Sequence, residues 1–137
     1  MRLIYPAIFA FDAEENCYTV EFPDLSGCVT GGNTLEEAIE MAMDAAGGWL
    51  LTSVEDQETI PKPSDIRQIR VEEENAFVNL IPVDLDDYAR RHGSKAVKKT
   101  LTIPRWLNTI AEREGVNFSG LLQKALMEHL HLTEGKR

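Results

Sequence analysis

The sequence predicts an α+β domain followed by a small strand-helix-helix segment, on three observations. Short apolar, β-branched runs separated by turn residues fill the first thirty positions, and a capped amphipathic pattern follows them. A polar stretch ending near Gly93 interrupts the chain, after which a new periodicity begins. Charge divides at the same place: residues 1–94 hold 6 Lys/Arg against 19 Asp/Glu, whereas residues 95–137 hold 8 against 4. The boundary is therefore placed at 93/94, giving domains 1–93 and 94–137.

Leu3 to Phe11 and Cys17 to Phe22 read as a β-hairpin around the acidic turn Asp12-Ala13-Glu14-Glu15-Asn16. Tyr18, Val20 and Phe22 alternate with Thr19 and Glu21, so one face is buried and the other wet. Pro23 to Gly27 makes a turn, Cys28 to Thr30 a third short strand, and Gly31-Gly32-Asn33 a loop. Thr34 followed by Glu37 has the spacing of a capping box and starts a helix. Leu35, Ala38, Ile39, Ala42, Ala46, Trp49 and Leu50 form its apolar stripe, and Gly47-Gly48 is expected to weaken it near its end. After Pro61 and Pro63, Ala76 to Val83 reads as a returning strand. Asp84 to Ser94 reads as polar connecting chain.

In the tail, Val97 to Ile103 alternates Leu101 and Ile103 against Lys98, Thr100 and Thr102, which is the pattern of one strand. Pro104 is tolerated in a first helical turn, and Leu107, Ile110 and Ala111 form a stripe that Gly115 ends. Asn117 is a fitting N-cap for a second helix carrying Phe118, Leu121, Leu122, Ala125, Leu126 and Leu130.

At 137 residues, 43% apolar and 27% charged, the composition is that of a globular protein. No apolar run reaches the roughly 20 residues that cross a bilayer, and the start lacks a signal-peptide pattern, so a cytoplasmic protein is expected. Cys17 and Cys28 read as reduced, small apolar residues. The net charge of −9 taken whole argues against a nucleic-acid binder, but its division reverses that reading. An acidic body suits a basic partner, and a basic tail can approach phosphate.

About forty residues cannot bury a stable core alone, and the single tail strand has no sequence-local partner for its amides. A second copy supplies both. Two-fold pairing makes an antiparallel ribbon over four helices, with Leu101, Ile103, Leu107 and Leu122 in the dimer core. The outer face then carries Lys98, Thr100 and Thr102, which fit base edges in a major groove. The start of the second helix at Asn117, Phe118 and Ser119 offers free amides to a phosphate. This segment resembles the ribbon-helix-helix repressors, in which those are the base-reading and phosphate-holding positions.

The run Tyr5-Pro6-Ala7-Ile8-Phe9, then Tyr18 to Gly32 with its Phe22-Pro23-Asp24-Leu25-Ser26-Gly27-Cys28 turn, then Thr34-Leu35-Glu36-Glu37-Ala38, resembles the HicB antitoxin family over roughly residues 3–83. That resemblance implies a degenerate ribonuclease-H-like fold without enzyme activity. It also implies a small basic partner, the mRNA-cleaving HicA toxin, and repression of the operon through operator DNA. Pairing of dimers into tetramers follows from the resemblance alone. Glu36, Glu37, Glu40 and Asp44, outside the apolar stripe of the first helix, are the candidate toxin-binding residues.

Other readings are weaker. Asp12, Glu21 and Asp24 as nuclease carboxylates sit in a turn, on a wet strand face and in a loop, where surface acids are ordinary. His129 and His131 are two apart, on different helix faces, so no metal site is expected. No cofactor motif and no catalytic residues are apparent. Trp49 and Trp106 lie on or beside apolar stripes and read as packing residues. The principal alternative is a ligand-sensing repressor of the same tail type without a toxin partner.

Overall fold

The computed structural model describes residues 1–93 and 95–132; Ser94 and the last five residues of the tail lie outside the described residues. The chain divides into two compact units, 1–94 and 95–137. In the first, strands β1 (Arg2–Asp12), β2 (Cys17–Glu21), β3 (Val29–Gly32) and β4 (Ala76–Asp84) form one antiparallel sheet in the order β3-β2-β1-β4. Helix α1 (Leu35–Glu55) covers one face, and a short helix α2 (Leu85–His92) follows β4. The mixed antiparallel architecture agrees with the α+β expectation.

Alternation along β1 decides what the sheet buries. Tyr5, Ala7 and Phe9 are fully buried against Val20 of β2, Ile81 and Val83 of β4, and Ala38, Ala42, Ala46 and Leu50 of α1. The alanine stripe lets α1 lie close to the sheet, and Gly32 permits its start: a Cβ there would sit 2.5 Å from the Ala38 amide nitrogen. Thr34 caps α1 as the sequence predicts, its Oγ1 accepting from the Glu37 N–H at 3.1 Å. Leu35, placed on the buried stripe by periodicity, is exposed.

The Pro23–Gly27 turn is closed by the Phe22 N–H donating to the Cys28 carbonyl at 3.1 Å, with Gly27 at φ +78°. Phe22 and Leu25 enter the core. Asp24 accepts from the Ser64 N–H at 2.8 Å and from its hydroxyl at 2.5 Å, which ties the long α1–β4 connection to this turn. Tyr5 adds a second tie, donating to the Pro61 carbonyl at 2.5 Å. The connection also holds one 3₁₀ turn, Ile66–Gln68.

Two of the local expectations need correction. Gly47-Gly48 does not interrupt α1; the helix runs on to Glu55, and both glycines face the Tyr88 ring of α2. The stretch expected as connecting chain holds a helix over Leu85–His92: Asp84 caps α2 by accepting from the Asp87 N–H at 3.2 Å, and Leu85 is buried. Val97 to Ile103 has no partner strand among the described residues of the chain.

In the second unit, α3 (Arg105–Arg113) and α4 (Phe118–His129) form a helical hairpin through Gly115, at φ +69°. Pro104 occupies the N-cap position of α3 rather than the first helical turn. No described residue of this unit is buried. Trp106, read as a packing residue, is 65% exposed in the single chain.

Candidate interaction sites

The tail's candidate residues sort into two sets. Leu101, Ile103, Leu107 and Leu122 line one apolar groove between the extended segment and the two helices, together with Ile110 and Leu121. Leu101 is 56% exposed and Ile103 41%, so these side chains gather without being covered. Lys99 joins Leu101 and Ile103 on the groove, whereas Lys98, Thr100 and Thr102 are exposed and do not line it. The segment therefore keeps the two-residue alternation of an extended strand.

Asn117 caps α4, its Oδ1 accepting from the Gly120 N–H at 3.1 Å. Helix geometry leaves the amides of Phe118 and Ser119 without intrahelical acceptors, since they precede the first i−4 carbonyl of α4. His129 is the last residue of α4, and His131 follows it at φ +56°.

On the first unit the four acidic candidates separate. Glu37 is engaged locally, its Oε1 accepting from the Asn33 N–H at 3.4 Å in the α1 cap. Glu36 is exposed in the first turn of the helix. Glu40 and Asp44 converge with Asp84 and Asp87 on a groove between α1 and α2, floored by Met43 and Tyr88. Sequence reasoning missed Asp84, Asp87 and Tyr88 because it missed α2. The signals were an Asp cap, Leu85, Tyr88 and Ala89 at helical spacing, and the Asp87–Arg91 pair, which closes at 3.0 Å. Burial first, and the Asp44 carboxylate second, raise the Tyr88 phenol above its ordinary value.

The carboxylates considered for nuclease chemistry serve other ends. Asp12 accepts from the Glu14 and Glu15 amides in its hairpin turn, Asp24 holds Ser64, and Glu21 is exposed on the sheet. Among the described residues, no group of three or more His, Cys, Asp or Glu side chains is placed to hold a metal ion. Cys17 and Cys28 are free thiols, and burial raises the Cys28 thiol above its ordinary value.

A family model described as the HicB-like antitoxin of bacterial toxin-antitoxin systems matches residues 5–126, spanning the sheet, α1, α2 and most of the tail. The chain belongs to the HicB-like antitoxin family. Its relatives include the uncharacterized 14.9 kDa protein in the rep-hol intergenic region of Haemophilus phage HP1, 31% identical over 107 residues, covering 77% of this chain and 76% of the phage protein. Antitoxin HicB 1 of Photorhabdus laumondii is 46% identical over 55 residues, 40% of this chain and 36% of that protein. The chain thus matches about a third of the length of that antitoxin.

Among solved structures, a toxin-antitoxin complex from Streptococcus pneumoniae contains a chain superposing at TM-score 0.62 with 28% identity, over 94% of this chain and 99% of that one. The antitoxin HicB of Burkholderia pseudomallei superposes at TM-score 0.55 with 25% identity, over 93% of this chain and 98% of that one. The HicB-like match therefore extends beyond the sheet domain into the helical tail.

Proposed function

We propose that this HicB-like chain neutralises a small basic HicA-like ribonuclease toxin through its acidic first unit and represses its own operon through its tail. The tail dimerises as a ribbon-helix-helix and binds operator DNA. One observation carries the tail assignment: a unit with no buried described residue presents a groove lined by Leu101, Ile103, Leu107 and Leu122. Apolar side chains gathered but uncovered call for a second surface, and a second copy offers the same residues through a two-fold axis. The ribbon so formed turns Lys98, Thr100 and Thr102 outward to base edges. The two α4 N-termini, at Asn117, Phe118 and Ser119, then receive phosphates.

The toxin assignment draws on family membership and on charge. The −13 balance of residues 1–94 opposes RNA and attracts an RNA-binding protein, so the unit competes for the surface on which the toxin holds its substrate. Glu36, Glu40 and Asp44 are exposed carboxylates available to that partner, whereas Glu37 and Asp84 are engaged in helix caps and Asp87 is paired with Arg91. The degenerate ribonuclease-H-like description of this unit, the absence of catalysis and a cytoplasmic location belong to the same proposal. The test is to co-express the full chain with the product of the adjacent gene and purify by a tag on one of them. Co-purification, together with a mobility shift on the DNA upstream of the pair, is the expected result. Free chains and no shift would refute the reading.

A further inference from the structure

The apolar groove of the second unit has opposite charges among its lining residues. Positions 99, 101 and 103 share one side of the extended segment, so Lys99 stands in line with Leu101 and Ile103 and away from Lys98, Thr100 and Thr102. Glu112 of α3 lines the same groove. Among the described residues neither Lys99 nor Glu112 enters an ion pair, whereas the neighbouring Glu114 stands 4.0 Å from Arg113. Lys99 and Glu112 are both exposed in the single chain, where water solvates them.

We infer that Lys99 of one copy pairs with Glu112 of a second, and that this reciprocal pair selects which chains dimerise. The inference rests on the ribbon-helix-helix reading of the tail and names the residues that govern its choice of partner. A second copy that covers Leu101, Ile103 and Leu122 also takes water from the charges beside them. A cation stripped of water and left unanswered is strongly destabilising, so the covering surface must bring an anion. The groove of a second copy does so. Two-fold symmetry makes the exchange twice, each Lys99 meeting the partner's Glu112 and each Glu112 the partner's Lys99. The lysine stem packs beside Leu101 while its ammonium meets the carboxylate. The pair acts chiefly by exclusion: a related tail with an anion at position 99 or a cation at position 112 would set like charges together.

The experiment uses the full chain. Its dimerisation is measured first, because failure to dimerise overturns the ribbon-helix-helix reading and this inference with it. Two variants, Lys99→Glu and Glu112→Lys, are then made with different tags and expressed singly and together. Alone, each sets like charges across both contacts of its dimer and should dimerise roughly tenfold or more weakly than the unaltered chain. Together they restore opposite charges at both contacts. Native mass spectrometry should therefore show heterodimers in excess of random mixing, the excess shrinking when the chains are mixed at higher salt. Two differently tagged copies of the unaltered chain should mix at random. Recovery of dimers in the mixture also shows that neither substitution has simply unfolded the tail. A pair formed within one chain is broken in both variants whatever the partner, and a lysine that keeps its ammonium in water is indifferent to position 112. Random mixing of the two variants, with the unaltered chain dimeric, thus overturns the inference and leaves the ribbon-helix-helix reading standing.

Discussion

Replacing Gly47 by alanine should destabilise the first unit, although alanine is the better helix former. A Cβ at that position would lie 2.7 Å from Tyr88 Cε2 and 2.8 Å from Cγ, against 3.4–4 Å for ordinary contact. The whole ring must move, not a flexible tip, and its helix is pinned one turn earlier by the buried Leu85. Overpacking of this kind costs about 1–3 kcal/mol, and the propensity gain of alanine over glycine returns about 1 kcal/mol. The net effect is a loss of up to about 2 kcal/mol, or roughly 4–8 °C in melting temperature per kcal/mol for a unit of this size. With Tyr88→Ala the obstruction is gone, so Gly47→Ala in that background should stabilise by about 1 kcal/mol. Thermal or urea unfolding of the two single variants, the double variant and the parent measures a coupling of about 1–3 kcal/mol. Equal stabilisation by Gly47→Ala in both backgrounds would refute the seat of α2 on the diglycine.

Lys98→Ala with Thr100→Ala should bring operator affinity close to that for random DNA, because each lost base contact costs about 1–3 kcal/mol and the two-fold repeats it; toxin inhibition by the same protein should be unchanged. Asn117→Ala should weaken operator and random DNA alike and lower the stability of the tail by about 1 kcal/mol, through loss of the cap to Gly120, as read from affinities over a salt series. Burial, with the Asp24 carboxylate second, raises the Tyr5 phenol above its ordinary 10.0. The folded state therefore holds that proton more tightly than the unfolded chain, and this stability is complete below the unfolded value and lost as pH rises through the folded one. Melting temperature should accordingly fall above about pH 10, less steeply in Tyr5→Phe, which also forfeits about 1 kcal/mol with its bond to Pro61.

The elements legible in the sequence are those whose signals are local. Thr34 and Glu37 announce α1, the hairpin turn at Asp12 to Asn16 separates two alternating runs, and Asn117 and Gly115 mark helix ends by their own backbone chemistry. Gly47-Gly48 misleads because propensity is a property of the isolated helix, while the need for glycine arises from Tyr88, forty residues later. Helix α2 is obscured because only Leu85, Tyr88 and Ala89 of its eight residues supply an apolar face. The Val97 to Ile103 pattern is readable, but no partner strand lies beside it among the described residues of the chain.

The central claim, that one chain joins an acidic toxin-holding unit to a dimeric DNA-binding tail, is tested most directly by RNA cleavage. The purified adjacent-gene product would be titrated with the full chain and, in parallel, with the 1–93 fragment, its fold confirmed, over a salt series. The account predicts suppression of cleavage by both proteins, with association slowing as salt rises because unlike charges steer the encounter. Cleavage that continues undiminished at excess full chain would contradict it.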